Sequence, residues 1–212
     1  MSGYTLYDYH RSSAAYRVRI ALNLKGVAWT GVPVSLLQGE HRSAEHLARN
    51  RQGLIPALDI GDGTVLTQSL AILDWLDAAH PHPRLFPAEP LARARAMALA
   101  LVIVADIHPI DNLRVLRRLE SQFAADAAAK AEWYRHWIAE GLGALEAAAP
   151  SDGFFGGGAP GVVDCCLVPQ LYNARRFELD LSPWPRLVAI DARAADLPAV
   201  AAAHPDAVAP VA

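Results

Sequence analysis

Residues 54–69 read LIPALDIGDGTVLTQS. Two short β-prone runs flank Gly61, Asp62 and Gly63, a tight-turn triplet, so the stretch predicts an antiparallel hairpin. Directly behind it Leu70, Leu73 and Leu76 recur at helical spacing. Working outward toward the start, Thr5–Tyr9 is short and β-prone, and RSSAAYRVRIALNL (11–24) presents Val18, Ala21 and Leu22 on one helix face, with Leu24 on its flank and Gly26 as a stop. Val32, Val34 and Leu36 then alternate at period two, which predicts a second strand parallel to the first across a helical crossover.

With a short helix around Ala44–Ala48, the order becomes βαβ, α, ββα: a small mixed sheet with helices packed on it, the order of thioredoxin-like domains. Pro81, Pro83, Pro87 and Pro90 follow. Each locks φ and lacks an N–H, so no helix runs through them, and they mark a linker over 81–91 after a first domain at 1–80. Beyond it strand signals cease. Alanine-rich helical patterns run from about Ala92 to Leu119, Ala127 to Ala149 and Val162 to Arg175, predicting an all-helical domain over 92–212, with a kink near Ile107 and His108 where Pro109 removes a donor.

The 212 residues suffice to bury a core without disulfide or metal, and 53% hydrophobic with 19% charged residues is a globular composition. A net charge of -3 gives no basic field for a phosphate backbone, so nucleic acid is not an expected partner and a small molecule is. The adjacent Cys165 and Cys166 lack metal-ligand spacing; they read as small buried hydrophobes, and no metal is expected. MSGYTLYDYH carries no targeting pattern, and no apolar run is long enough to span a bilayer, so the expected setting is the reducing cytoplasm, away from membranes.

Three features point to chemistry, each with a structural alternative. Pro56 sits in a strand pattern where it cannot donate to the ladder. Either Ile55–Pro56 is cis and turns the preceding backbone outward to pair with a bound peptide, or Pro56 lies on an edge; proline statistics favour the edge, since about 5–6% of such bonds are cis. Gln68 and Ser69 open a helix, where free N–H groups and the dipole favour a carboxylate, or where Ser69 merely caps. Ser12 and Ser13 open another: a hydroxyl there either caps or donates to a thiolate. Lowering a thiol pKa by one unit takes about 1.4 kcal/mol, within reach of a charged hydrogen bond.

Together these features resemble the glutathione transferases, across essentially the whole chain. The resemblance sharpens to the zeta class, which includes maleylacetoacetate and maleylpyruvate isomerases, through RSSAAYRVRIALNLKG, LIPAL, TQSLAILDWL, DIHPIDN and CLVPQLYNARRF. It implies a thioredoxin-like glutathione-binding domain and a helical domain that shapes the second-substrate site. Ser12 and Ser13 would stabilise the glutathione sulfur, Ile55 before a cis Pro56 would pair with the cysteinyl backbone, and Gln68 and Ser69 would hold the γ-glutamyl end. His41 stands where the class usually has glutamine, facing the glycyl carboxylate. His108 either donates toward glutathione or acceptor, or satisfies helix carbonyls freed at the kink. Asp106 and Asn112 would approach the glutathione of a second subunit in a homodimer.

A dicarboxylate acceptor needs cations, and arginine binds carboxylates bidentately. Arg11, Arg114 and Arg176 are the candidates, although Arg114 shares its helix with Arg117 and Arg118 and reads better as a solvated charge. Three positions depart from the class. Ala14 replaces the cysteine usual after the two serines, so this stretch holds no protein nucleophile and glutathione would supply the sulfur. Gly161 replaces a hydroxyl N-cap ahead of Asp164, and Arg51 replaces a proline. The implied activity is glutathione-dependent cis–trans isomerisation of maleylacetoacetate or maleylpyruvate, by reversible thiolate addition. Conjugation or dehalogenation of small α-halo acids, and a non-catalytic glutathione-binding or docking module, are the alternatives.

Overall fold

A computed structural model describes residues 3–209. In the first part of the chain β1 (Tyr4–Asp8), α1 (Ser13–Leu24) and β2 (Trp29–Pro33) form the expected crossover unit, followed by α2 (Ala44–Arg49), β3 (Ala57–Asp59), β4 (Val65–Thr67) and α3 (Ser69–Ala79). The strands lie in the order β2-β1-β3-β4, with β2 parallel to β1 and the other pairs antiparallel. The hairpin turns where expected: Gly61 and Gly63 take φ of 94° and 86°, and Asp62 Oδ1 accepts from Thr64 N at 2.8 Å. β2 lies earlier than its apolar alternation indicates. Tyr4 pairs with Trp29 and Asp8 with Pro33, and the donor-less Pro33 sits on an edge strand where its missing N–H is tolerated. Past Val34, which still donates to Asp8 O, Ser35 N turns to the Glu40 carboxylate at 2.6 Å.

Lys25 caps α1 and Gly26 follows with φ of 64°, as the sequence predicts. The Lys25 ammonium is buried, donating to Asp77 at 2.6 Å and to the carbonyls of His80 and Pro83, so the end of α1 is tied to the end of α3. Leu6, Val18, Leu22, Leu58, Ile72 and Leu76 fill the space between sheet and helices and are fully buried.

Two compact units divide the chain: one holds residues up to Leu85 together with those from Ala195 on, the other Phe86–Ala194. The final segment, included in the expected second domain over 92–212, therefore groups with the first unit. It is held by hydrogen bonds and by burial: Arg19 Nε donates to Ala203 O and Asn23 Nδ2 to Ala199 O, each at 2.9 Å, and the Val200 and Ala203 side chains are buried.

Apart from a single bridge between Phe154 and Gly157, the described secondary structure of the second unit is helical. α4 (Pro90–Leu101) begins with Glu89 capping and proline in the first turn, then passes into a π-helical stretch, Val102–Ile107. The predicted break falls here, and His108 N reaches back five residues to Ile103 O at 2.9 Å. α5 (Leu113–Phe123), α6 (Ala127–Ala148) and α7 (Val162–Arg176) follow, then α8 (Pro185–Ala195) and the short α9 (Pro198–Ala201), neither of which the sequence reading marked. Gly141 of α6 lets the π-helical stretch approach: a Cβ there would lie 2.3 Å from Ile107 Cδ1. At the start of α7 the buried Asp164 carboxylate accepts from the N–H groups of Phe155, Gly156 and Gly161, so the cap survives without a hydroxyl at Gly161.

Candidate active site

Register brings three chain segments to one end of the sheet. Tyr7 of β1 pairs with Ala57 of β3, and Ala57 pairs with Thr67 of β4. The turn after β1, the residues just before β3 and those just after β4 thus meet there, carrying Arg11, Ser12 and Ser13, then Ile55 and Pro56, then Gln68 and Ser69.

Ser12 is the N-cap of α1: its Oγ accepts from Ala15 N at 3.2 Å, and its own N–H closes the turn on Tyr9 O at 2.8 Å. The capping alternative therefore holds, and it leaves the hydroxyl hydrogen available to a second acceptor. Ser13 is buried in the first turn, Ala14 behind it is buried, and Arg11 is exposed. Burial, then the neighbouring Arg11, hold His10 below the ordinary imidazole range, against the pull of Asp8.

The Ile55–Pro56 bond is cis, contrary to the proline statistics, and so is His82–Pro83, which no sequence signal singles out. Leu54 O receives Asn50 Nδ2 at 2.8 Å and lies 2.9 Å from His46 Nε2, which braces the backbone leading into Ile55. Gln68 takes φ 67°, ψ 110°, a left-handed conformation rare for a residue with a side chain, and its amide donates to Gln52 Oε1 at 2.8 Å. Ser69 is buried at the N-terminus of α3, and its Oγ accepts from Arg17 Nη1 at 3.2 Å. His41 is buried in a 3-10 turn, Glu40–Arg42. A strained residue, a serine polarised by a guanidinium and free helix N–H groups compose a carboxylate-binding constellation.

In the second unit Arg176 ends α7, exposed, with Nη1 donating to Asn173 Oδ1 at 3.1 Å; Asn173 in turn donates to the Tyr134 hydroxyl. Arg175 is paired with Asp191 at 2.7 Å, which leaves Arg176 as the guanidinium of the pair turned to other partners. Arg114 is exposed on α5 beside Arg117 and Arg118. Asn112 caps α5 by accepting from Arg114 N at 3.1 Å, a local role for a residue expected near a second subunit. His108 is half-buried just past the π-helical stretch.

The sequence reading missed Arg17, Arg19, His46 and Asn50, which hold the site residues from behind, and Asp111. Burial pushes the Asp111 carboxyl up to about 8, and neither oxygen has a hydrogen-bond partner among the described residues. Also among the described residues, no group of three or more His, Cys, Asp or Glu is placed to hold a metal, and no helix is long and apolar enough to cross a membrane.

This arrangement of mixed sheet, serine-capped α1, cis-proline strand and polarised α3 start coincides with two family models. The glutathione S-transferase N-terminal domain matches residues 6–84 and the C-terminal domain residues 113–203. The chain belongs to the glutathione S-transferase family. It is 52% identical over 204 residues to maleylacetoacetate isomerase of Rhizobium meliloti (strain 1021), covering 95% of each chain. A holo structure of maleyl pyruvate isomerase, described as a bacterial glutathione transferase of the zeta class, superposes with a TM-score of 0.94 at 44% identity, covering 98% of this chain and 100% of that one. The maleylacetoacetate isomerase of Anaeromyxobacter dehalogenans 2CP-1, with dicarboxyethyl glutathione and citrate in its active site, gives 0.87 at 42% identity, covering 99% and 94%. The zeta-class resemblance is borne out.

Proposed function

We propose that this chain catalyses the glutathione-dependent cis–trans isomerisation of maleylacetoacetate or maleylpyruvate. The observation that carries the reading is the convergence of Ser12, the cis Ile55–Pro56 segment and the Gln68–Ser69 pair at one sheet end. Relatives at 52% and 44% identity bear those two isomerase names, which supports it. So does the dicarboxyethyl glutathione bound to a third, in which a dicarboxylate is joined to glutathione.

The residues present fit glutathione. Ser69, polarised by Arg17, and the α3 N–H groups hold the γ-glutamyl carboxylate beside Gln68. The backbone of Ile55, braced through Leu54, pairs with the cysteinyl peptide, and His41 faces the glycyl end. Glutathione, when bound, supplies a thiolate that adds reversibly to the cis double bond and leaves it free to rotate. Ser12 donates its hydroxyl hydrogen to the sulfur, Ser13 lies behind it in the same turn, and the dipole of α1 adds its positive end. Arg11, Arg114 and Arg176 offset the acceptor carboxylates and the negative charge that develops during addition. No side chain of 11–24 has to act as nucleophile, so Ala14 is compatible with turnover.

The protein acts as a homodimer in this reading. α5 buries no residue within the chain and exposes Leu113 and Phe123, apolar side chains that a second subunit could cover. The buried thiols of Cys165 and Cys166 suit a cytoplasmic setting.

The test is turnover of both cis substrates as a function of glutathione concentration, with product analysis, in the parent, Ser12→Ala and Arg176→Ala. Isomerisation without net glutathione consumption, lowered about 10- to 100-fold by Ser12→Ala, is expected from the loss of one charged hydrogen bond. Arg176→Ala is expected to raise KM for the dicarboxylate. Net consumption of glutathione with α-halo acids and no isomerisation would transfer the assignment to conjugation; glutathione binding without either reaction would leave a binding module.

A further inference from the structure

Arg19 lies two turns into α1 and is wholly buried. Its guanidinium reaches three parts of the first unit at once. Nη1 donates to both Asp8 oxygens, at 2.8 and 2.6 Å; Nη2 donates to His10 O and Nε to Ala203 O, each at 2.9 Å. Asp8 ends β1, His10 lies inside the Tyr9–Ser12 turn, and Ala203 follows α9. One cation therefore fastens a strand end, the turn that presents Ser12, and the C-terminal segment.

Other contacts follow the same line. Asn23 holds the Ala199 carbonyl, and the His204 ring meets Tyr16 edge-on at 6.1 Å. Val208 shares with Tyr9 and His10 the wall of a groove of about 740 Å³ along β2. The segment is thus attached at successive points to the helix and turn that carry Ser12.

We infer that Arg19 is a positioning residue through which the C-terminal segment, Pro198 to Val208, sets the Tyr9–Ser12 turn and with it the direction of the Ser12 hydroxyl. Arg19 reaches the reaction through the His10 carbonyl and the Asp8 carboxylate, without touching substrate. The inference rests on the assignment of Ser12 as hydrogen-bond donor to the glutathione sulfur. Charge alone does not suffice for the role. A guanidinium presents donors in a rigid planar fork, whereas an ammonium at this place satisfies Asp8 and cannot span His10 and Ala203 with fixed geometry.

The experiment is ultraviolet titration of the thiolate of bound glutathione in the parent, Arg19→Lys and Asn23→Ala, beside calorimetric affinity for S-methyl glutathione, which lacks the thiol. Arg19→Lys is expected to raise the bound thiol's pKa by about one unit, a tenfold loss of thiolate at fixed pH below it. Its affinity for S-methyl glutathione is expected to stay within about twofold, because the γ-glutamyl contacts are elsewhere. Asn23→Ala leaves Arg19 in place and detaches Ala199, so it should shift the thiol in the same direction by less. A lowered thiol pKa in the parent that persists in both folded variants would make Arg19 a stability residue and overturn the inference. If Arg19→Lys does not fold, an unchanged thiol in Asn23→Ala overturns it alone. Ordinary thiol ionisation in the parent, or no glutathione binding there, would instead remove the Ser12 assignment and this inference with it.

Discussion

The Arg17 guanidinium crosses from α1 to the first residue of α3 and donates to the Ser69 hydroxyl at 3.2 Å. A serine oxygen that accepts from a cation keeps its own hydrogen for an outside acceptor and becomes a better donor. Arg17→Met, which keeps the stem and removes the guanidinium, should weaken glutathione binding about tenfold, the size expected of one charged hydrogen bond, with little change in kcat. Calorimetric titration measures this, and unchanged affinity would mean that Arg17 serves packing alone.

Gln68 holds φ at 67° although it carries a side chain. Such conformations cost on the order of 1–3 kcal/mol and persist only where the surrounding structure holds them. Gln68→Gly removes that cost and the bond to Gln52, so chemical denaturation should find the variant as stable as the parent or more so, by up to about 1 kcal/mol. Glutathione affinity should fall in the same variant. A variant both weaker in binding and clearly less stable would contradict the assignment of strain to this position.

Asp111 carries a pH signature. Its folded pKa of about 8 lies above its unfolded value of 3.8, so in between the unfolded chain has released a proton that the folded chain retains. Stability therefore falls as pH rises through that window, with a slope of up to about 1.4 kcal/mol per unit, and levels off above it. Asp111→Asn removes the titration. Its melting temperature should exceed the parent's by a margin that widens from about pH 5 to about pH 8. A margin independent of pH would show that Asp111 does not titrate in this range.

Gly141→Ala raises helix propensity by about 1 kcal/mol and still should destabilise, because its Cβ would fall 2.3 Å from Ile107 Cδ1. Overpacking at such a site costs about 1–3 kcal/mol, read as a lower denaturation midpoint with unchanged slope. Combining it with Ile107→Ala should recover part of the loss, since the two side chains occupy one space.

The hairpin and the crossover were legible because local chemistry determines them: Gly61 and Gly63 alone suit their backbone angles, and alternation marks Val32 and Val34. That alternation reports which residues face inward and not which ones pair, so β2 was displaced toward its buried end. Pro109 announced a break. The π-helical form of the break depends on Gly141 in another helix, and no local pattern encodes it. Arg17 and Arg19 carry no local signal of the partners the fold brings to them, and the sequence reading gave them no role. Both are buried, because Ser69, Asp8 and Ala203 come to them from elsewhere in the chain. Four residues that the motifs single out, Ser12, Ile55, Gln68 and Ser69, do meet at one sheet end, whereas the side chains that hold them there carry no motif.

Arg19 and Ala203 are 184 residues apart in sequence. During synthesis the first strand and helix leave the ribosome long before the carbonyl that completes the Arg19 cluster exists, so the unit begun first is among the last to be finished. Until then the Arg19 guanidinium lacks one of its acceptors. The Arg19 cluster is therefore complete only once Ala203 is in place, however early its strand and helix form. A fragment that stops at the prolines after α3 should express as a less ordered, more protease-sensitive body than the same residues within the whole chain.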